Sequence, residues 1–185
     1  MRKERMNNKG FSLVELIIVI AIMAILAAAL APQLMKYIEK SRVSTDASTC
    51  SSIESCVNAA LANEDAYKEI AEQASGLTIT GSATDATKDF EFYIGAAPKF
   101  RWPPTVTATN KVDSFKDELS TSLKSIKAPK QTGMKSYKVT IKIRKTTKQN
   151  TGIDASTTAT SEDIMEVGDI KVQTVKKDLD ATTTP

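Results

Sequence analysis

No histidine occurs among the 185 residues, which removes the commonest general base and the commonest metal-ligating side chain. The two cysteines, Cys50 and Cys56, are too few to hold zinc by themselves. There is no glycine-rich phosphate loop, and no metal-ligand cluster takes the place of the missing histidines. Carboxylates such as Asp113, Asp117 and Glu118 fall at the spacing of an ordinary helix surface. The chain therefore reads as a non-enzyme, with no catalytic residue, metal or cofactor expected. Charge is equally unassertive. A formal net charge of +3 and a pI near 8.8 point by themselves neither to nucleic acid nor to an anionic membrane surface. An apolar content of 41% suits one modest domain plus an extension.

Cys50 and Cys56 lie six residues apart within a helical pattern, so their Cα atoms stand roughly 9 Å apart along the axis, beyond disulfide reach. They read as a buried thiol at Cys50 and a helix-flank thiol at Cys56. No cysteine follows Cys56.

What the chain does have is a long apolar run. From residue 16 to residue 31 it reads LIIVIAIMAILAAALA, and Phe11, Leu13, Val14, Leu34 and Met35 extend it on both sides. As one helix, Phe11 to Met35 spans roughly 37 Å, enough to cross a hydrocarbon core of about 30 Å with modest tilt. Arg2, Lys3, Arg5 and Lys9 outweigh Glu4 before the run, which favours an inside N-terminus. Lys36, Lys40 and Arg42 on the far side weaken that bias.

Two general readings leave loose ends. A secretory signal peptide cut after Ala29-Leu30-Ala31 puts Pro32 directly behind the scissile bond and Glu15 in the apolar region. A plain membrane anchor leaves Glu15 unexplained, because an acidic side chain at mid-span costs about 2.5 to 3.5 kcal/mol, although the position near the inner edge reduces this.

The heptapeptide Lys9-Gly10-Phe11-Ser12-Leu13-Val14-Glu15, followed directly by the apolar run, resembles the processing motif of type IV pilins and pseudopilins. The resemblance covers about Lys9 to Tyr37, with Pro32 and Tyr37 at positions where family members often carry proline and tyrosine. It implies that a prepilin peptidase cuts between Gly10 and Phe11 and methylates the new amino group of Phe11, while the apolar helix stays in the mature protein. It also implies storage in the bacterial cytoplasmic membrane as a single-pass precursor with its C-terminus outside, then export into an extracellular pilus. The partners are membrane lipid, the assembly machinery and further copies of the chain in a homopolymer. Cleavage leaves an α-ammonium at Phe11 four residues from the Glu15 carboxylate, both in apolar surroundings. In a filament the Glu15 of one subunit can meet the Phe11 ammonium of its neighbour, offsetting a desolvation neither bears alone. Pro32 removes a donor from the carbonyl of Ala28 and is expected to kink or loosen the helix there. Many family members carry glycine where this chain has Ala24, and the lack of a C-terminal disulfide is similar to pilins often found in Gram-positive bacteria.

Beyond Tyr37, the residues Val43, Ala47, Cys50, Ile53, Val57, Ala60 and Leu61 form an apolar stripe, with Ser44, Thr45, Ser48, Ser51, Ser52 and Ser55 opposite. One helix of roughly 80 Å from Phe11 to about Asn63 is expected. After a break at Asn63-Glu64-Asp65, residues 66–74 read as a short helical piece. Leu77 and Ile79, and then Phe90, Phe92 and Ile94, alternate as half-buried strands. Trp102 reads as an anchor for a proline-rich connection, and Val112, Phe115, Leu119, Leu123 and Ile126 as a helix capped by Asn110 or Asp113. Tyr137 to Arg144 is the clearest strand. Residues 164–175 read as a hairpin turning at Gly168-Asp169, preceded by a threonine-rich loop over 146–163.

The fold class that follows is α+β, a long N-terminal helix packed on a C-terminal antiparallel sheet with one short additional helix. Its organisation is a 1–10 leader, an 11–35 membrane and filament-core helix, a 36–63 amphipathic continuation and a 64–185 globular region. The function implied is that of a type IV pilus subunit, with a type II secretion pseudopilin or a competence DNA-uptake subunit as alternatives that share the motif. Lys138, Lys142, Arg144, Lys145 and Lys148 form a candidate basic surface for DNA, although lysines on a strand also serve as a solvated or edge-protecting face.

Overall fold

The computed structural model describes residues 11–73, 85–96, 99–107, 111–149, 161–177 and 179. Gly10 and the leader, the Leu77 and Ile79 strand and Asn110 lie outside the described residues. The chain divides into two compact units, Met1–Arg42 and Val43–Pro185. Helix α1 (Leu13–Ala60) gives residues 13–42 to the first and 43–60 to the second, and it is assigned as helix through Pro32.

The second unit is an antiparallel sheet covered on one face by helices. Strands β1 (Asp85–Ile94), β2 (Phe100–Arg101), β3 (Ser136–Gln149) and β4 (Ser161–Val175) lie in the order β2-β1-β3-β4. Alternation sorts the side chains. Phe90, Phe92 and Ile94 of β1 and Tyr137, Val139, Ile141 and Ile143 of β3 are buried on one face, against Ile53, Val57 and Ala60 of α1. Two short helices complete the layer, α2 (Glu64–Glu72) and α3 (Asp113–Ser122), close to the helical piece expected over 66–74 and the helix expected from Val112. Ala66 and Ile70 of the first and Phe115 and Leu119 of the second enter the same core.

The break between α1 and α2 is a capped restart. The Asn63 side-chain oxygen accepts from the backbone N–H groups of Asp65 and Ala66 at 3.0 and 3.3 Å, satisfying two donors of the first turn of α2. α3 begins differently from expectation. Its N-cap position is Val112, which has no capping side chain, and Asp113 is already helical. The Glu69 carboxylate of α2 reaches across and accepts from Ser114 N–H and Phe115 N–H at 3.1 and 3.0 Å, so one helix caps the next.

The expected hairpin at Gly168-Asp169 is not present. β4 runs straight through these residues and pairs with β3 along its whole length. Ile141 faces Ile170 and Ile143 faces Val167, so Gly168 and Asp169 together oppose Lys142 alone. This is a β-bulge, in which one extra residue shifts the register without turning the chain. The glycine-aspartate pair signalled backbone irregularity correctly, but the flanking strand residues had a partner in β3 rather than in each other. The strands also extend into the expected threonine-rich loop, to Gln149 on one side and from Ser161 on the other.

Trp102 is the anchor expected. Its ring stacks on Phe92 at 4.9 Å and Phe100 at 5.5 Å and meets Phe115 edge-on at 6.2 Å, fixing the connection after β2 to the core.

Candidate functional site: the N-terminal segment and the Asp46 latch

Within the first unit the apolar side chains are turned outward. Phe11 is 88% exposed, and every large apolar residue from Leu13 to Met35 lies open. Mean hydropathy reaches 3.0 in this segment, with none of that window buried. A buried core helix would also be this apolar, but its side chains would be covered. Here the surface requires lipid or other apolar helices.

The start of α1 is organised by Glu15. Its carboxylate accepts from the backbone N–H of Ser12 at 2.9 Å, and the Ser12 carbonyl accepts from Leu16 N–H at 3.2 Å. Ser12 and Glu15 thus stand three apart as N-cap and third helical residue, the reciprocal half of a capping box. The Ser-x-x-Glu spelling was visible in the sequence, but reading Glu15 only as an intermolecular partner passed over it. The carboxylate satisfies a terminal donor and places negative charge at the positive end of the helix dipole. Phe11 and Glu15 are therefore brought to one helix end. Pro32 and Tyr37 sit further along the exposed helix, Tyr37 71% exposed.

In the second unit the apolar stripe of α1 departs from expectation at its start. Val43 and Ala47 are exposed, and the residue turned inward is Asp46, 2% exposed. Its two carboxylate oxygens accept from Lys130 N–H at 2.8 Å and Gln131 N–H at 2.7 Å. Such paired charge-assisted bonds explain how an acid replaces an apolar residue on a core stripe. They hold the strand entry just before the turn at Gly133, whose φ of 81° lies in the region that favours glycine.

Asp46 colours its surroundings. Burial, reinforced by the Asp46 charge and to a lesser degree by Cys50, pushes the Tyr137 hydroxyl up to about 12, against a hydrogen bond with Thr49 that pulls the other way. The Cys50 thiol is likewise raised, first by burial and then by Asp46 and Glu54. Both cysteines are free and half-buried, so the expected contrast between a buried Cys50 and a flanking Cys56 does not hold. The two occupy adjacent sides of the same stripe.

The candidate basic surface is broken up. Lys138 pairs with Glu91 at 2.6 Å, and that hydrogen bond, set against partial desolvation, raises its pKa. Asp89 lies opposite Lys142 and Glu166 opposite Arg144 in the strand register. Lys145 shares the parity of buried Ile143 and points to the other face. The side chain of Lys148 lies outside the described residues. Acidic neighbours on both flanking strands therefore dilute the field that a phosphate backbone would need. Among the described residues, no group of three or more acids and thiols is placed to hold a metal.

Residues 5–31 match the family described as the prokaryotic N-terminal methylation motif. No curated protein and no solved structure matches the chain. The motif is that of prepilins and pseudopilins, and together with the fold it supports a type IV pilin-like, structural role. The apolar helix and the motif mark a membrane-associated precursor destined for a surface structure.

Proposed function

We propose that the chain is a subunit of a type IV pilus, held in the membrane as a prepilin and polymerised through its N-terminal helix after a cut between Gly10 and Phe11. The single observation that carries this reading is the exposed apolar surface from Leu13 to Met35, which starts inside the matched motif over residues 5–31 and continues just past it. That surface suits lipid in the precursor and neighbouring copies of the same helix in a filament. Residues 1–10 are then a leader, 11–35 the membrane and filament-core segment, 36–63 its amphipathic continuation and 64–185 the globular region. Prepilin peptidase and the assembly machinery are the partners this requires.

Phe11 carries the methylated amino group, and Glu15 pairs with the Phe11 ammonium of the adjoining subunit, so that wrong axial registers leave both charges unpaired. Glu15 keeps a second role as the acceptor for Ser12 N–H. Glu15→Gln separates the two, because glutamine still serves in a capping box but carries no charge. The experiment is the yield of sheared surface filaments from cells producing each variant. Loss in both Glu15→Gln and Glu15→Ala, with membrane insertion and cleavage intact, supports charge pairing. Full yield from Glu15→Gln refutes it.

A further inference from the structure

Just past the apolar run, Gln33, Lys36, Tyr37 and Lys40 line a shallow cavity of about 260 Å³ on the surface of α1. Their spacing of three and four residues places them along one side of the helix. The ion pair on this turn, Arg42 with Glu39 at 3.4 Å, lies on other faces: at 100° per residue, Arg42 falls roughly opposite the side that carries Lys40. The cavity thus presents two ammonium groups, an amide and a phenol without a carboxylate in its lining.

Depth gives this cluster its meaning. From Glu15 to Lys36 the helix rises about 31 Å, close to the roughly 30 Å of a hydrocarbon core. With Glu15 at the inner boundary, Lys36 and Tyr37 stand at the outer headgroup level and Lys40 one turn above. Tyr37, largely exposed, has the amphipathic ring that settles at such a boundary. The lysine stems can lie along the apolar surface while their charged ends reach the phosphates.

We infer that Gln33, Lys36, Tyr37 and Lys40 form a headgroup site that holds the phosphodiester of an anionic phospholipid in the outer leaflet while the chain is in the membrane. This inference rests on the membrane-spanning reading of α1. It accounts for lysines on the side of the segment where the charge bias of topology disfavours them. The occupant is the lipid and not a free anion, because the cluster is continuous with the apolar surface that the acyl chains cover. The contact holds the precursor at a fixed depth, and withdrawal of α1 into a filament must break it.

The test uses the full-length precursor in neutral detergent, titrated separately with phosphatidylglycerol and phosphatidylcholine, with bound lipid counted by native mass spectrometry. Each lysine near an anionic surface is expected to contribute about fivefold, so Lys36→Gln with Lys40→Gln should weaken phosphatidylglycerol binding about thirtyfold and leave phosphatidylcholine binding unchanged. Lys99→Gln with Lys124→Gln, remote in sequence, should change neither. Equal phosphatidylglycerol binding by wild type and the Lys36/Lys40 variant overturns the proposal. So does displacement of the lipid by millimolar inorganic phosphate, which indicates a bare anion site. Retention of both proteins in alkaline-washed phosphatidylcholine vesicles is measured in parallel. Loss there defeats the membrane-spanning reading itself, a result distinct from failure of the headgroup site.

Discussion

Asp46→Ala is the substitution whose effect on the second unit follows most directly from its geometry. The carboxylate is 2% exposed and takes two backbone N–H bonds of 2.8 and 2.7 Å, from Lys130 and Gln131. Bonds to a charged acceptor contribute about 1.5 to 3 kcal/mol each, but here the Lys130 side of the loop is open and water can recover part of the loss. The lower half of the range applies, about 3 kcal/mol for the pair. Asp46→Asn keeps one oxygen acceptor and turns an amide donor toward the other N–H, so about 2 kcal/mol is expected. Against a total stability on the order of 5 to 15 kcal/mol, either change is easily read. The single tryptophan, Trp102, stacked on Phe92, reports unfolding by fluorescence in urea with the full chain in detergent micelles. The midpoint should fall with little change in slope. A shift below about 0.5 kcal/mol in the alanine variant would place the holding of the loop elsewhere and refute the latch.

The raised Tyr137 hydroxyl makes stability pH-dependent at the alkaline end. Its neutral form is favoured in the fold, so the stabilisation is complete below the ordinary tyrosine value of 10.0 and is lost as pH rises to about 12. Two pKa units correspond to about 3 kcal/mol as an upper limit, and ultraviolet titration should show Tyr137 ionising above the ordinary tyrosine value and earlier in Asp46→Asn. Glu69→Ala removes the acceptor for two N–H groups at the start of α3 and should lower stability by about 1 to 2 kcal/mol, with hydrogen exchange fastest at Ser114 and Phe115. Glu69→Gln should recover part of this. Breaking the half-buried Lys138 and Glu91 pair by Glu91→Gln should change the urea midpoint by less than about 1 kcal/mol, since both side chains keep contact with water that screens them. Equal losses from Glu91→Gln and Glu69→Ala would contradict the distinction drawn between them.

Period and punctuation made much of the architecture legible. The alternation Tyr137, Val139, Ile141, Ile143 named the central strand and its buried face, and Asn63 marked the end of the long helix. The apolar run and the methylation motif over residues 5–31 were both readable because their chemistry is local. What escaped was decided by partners distant in sequence. Gly168-Asp169 looks like a turn until β3 supplies a strand for both sides to pair with. Asp46 looks like a polar-face residue until a loop more than eighty residues away presents two N–H groups to it. The same holds for Glu69, which does for α3 what Asn110 or Asp113 was expected to do. The basic strand read as a patch because its neighbours Glu91, Asp89 and Glu166 come from other strands. The capping role of Glu15 is the exception, local and missed.

The central claim is that the apolar segment is retained and that processing begins it at Phe11. Mass spectrometry of the N-terminal peptide from cells tests this most directly. The account predicts a peptide that begins at Phe11 and carries one added methyl group. A chain beginning at Pro32 would contradict it, because the exposed surface from Leu13 to Met35 would then have been discarded almost whole.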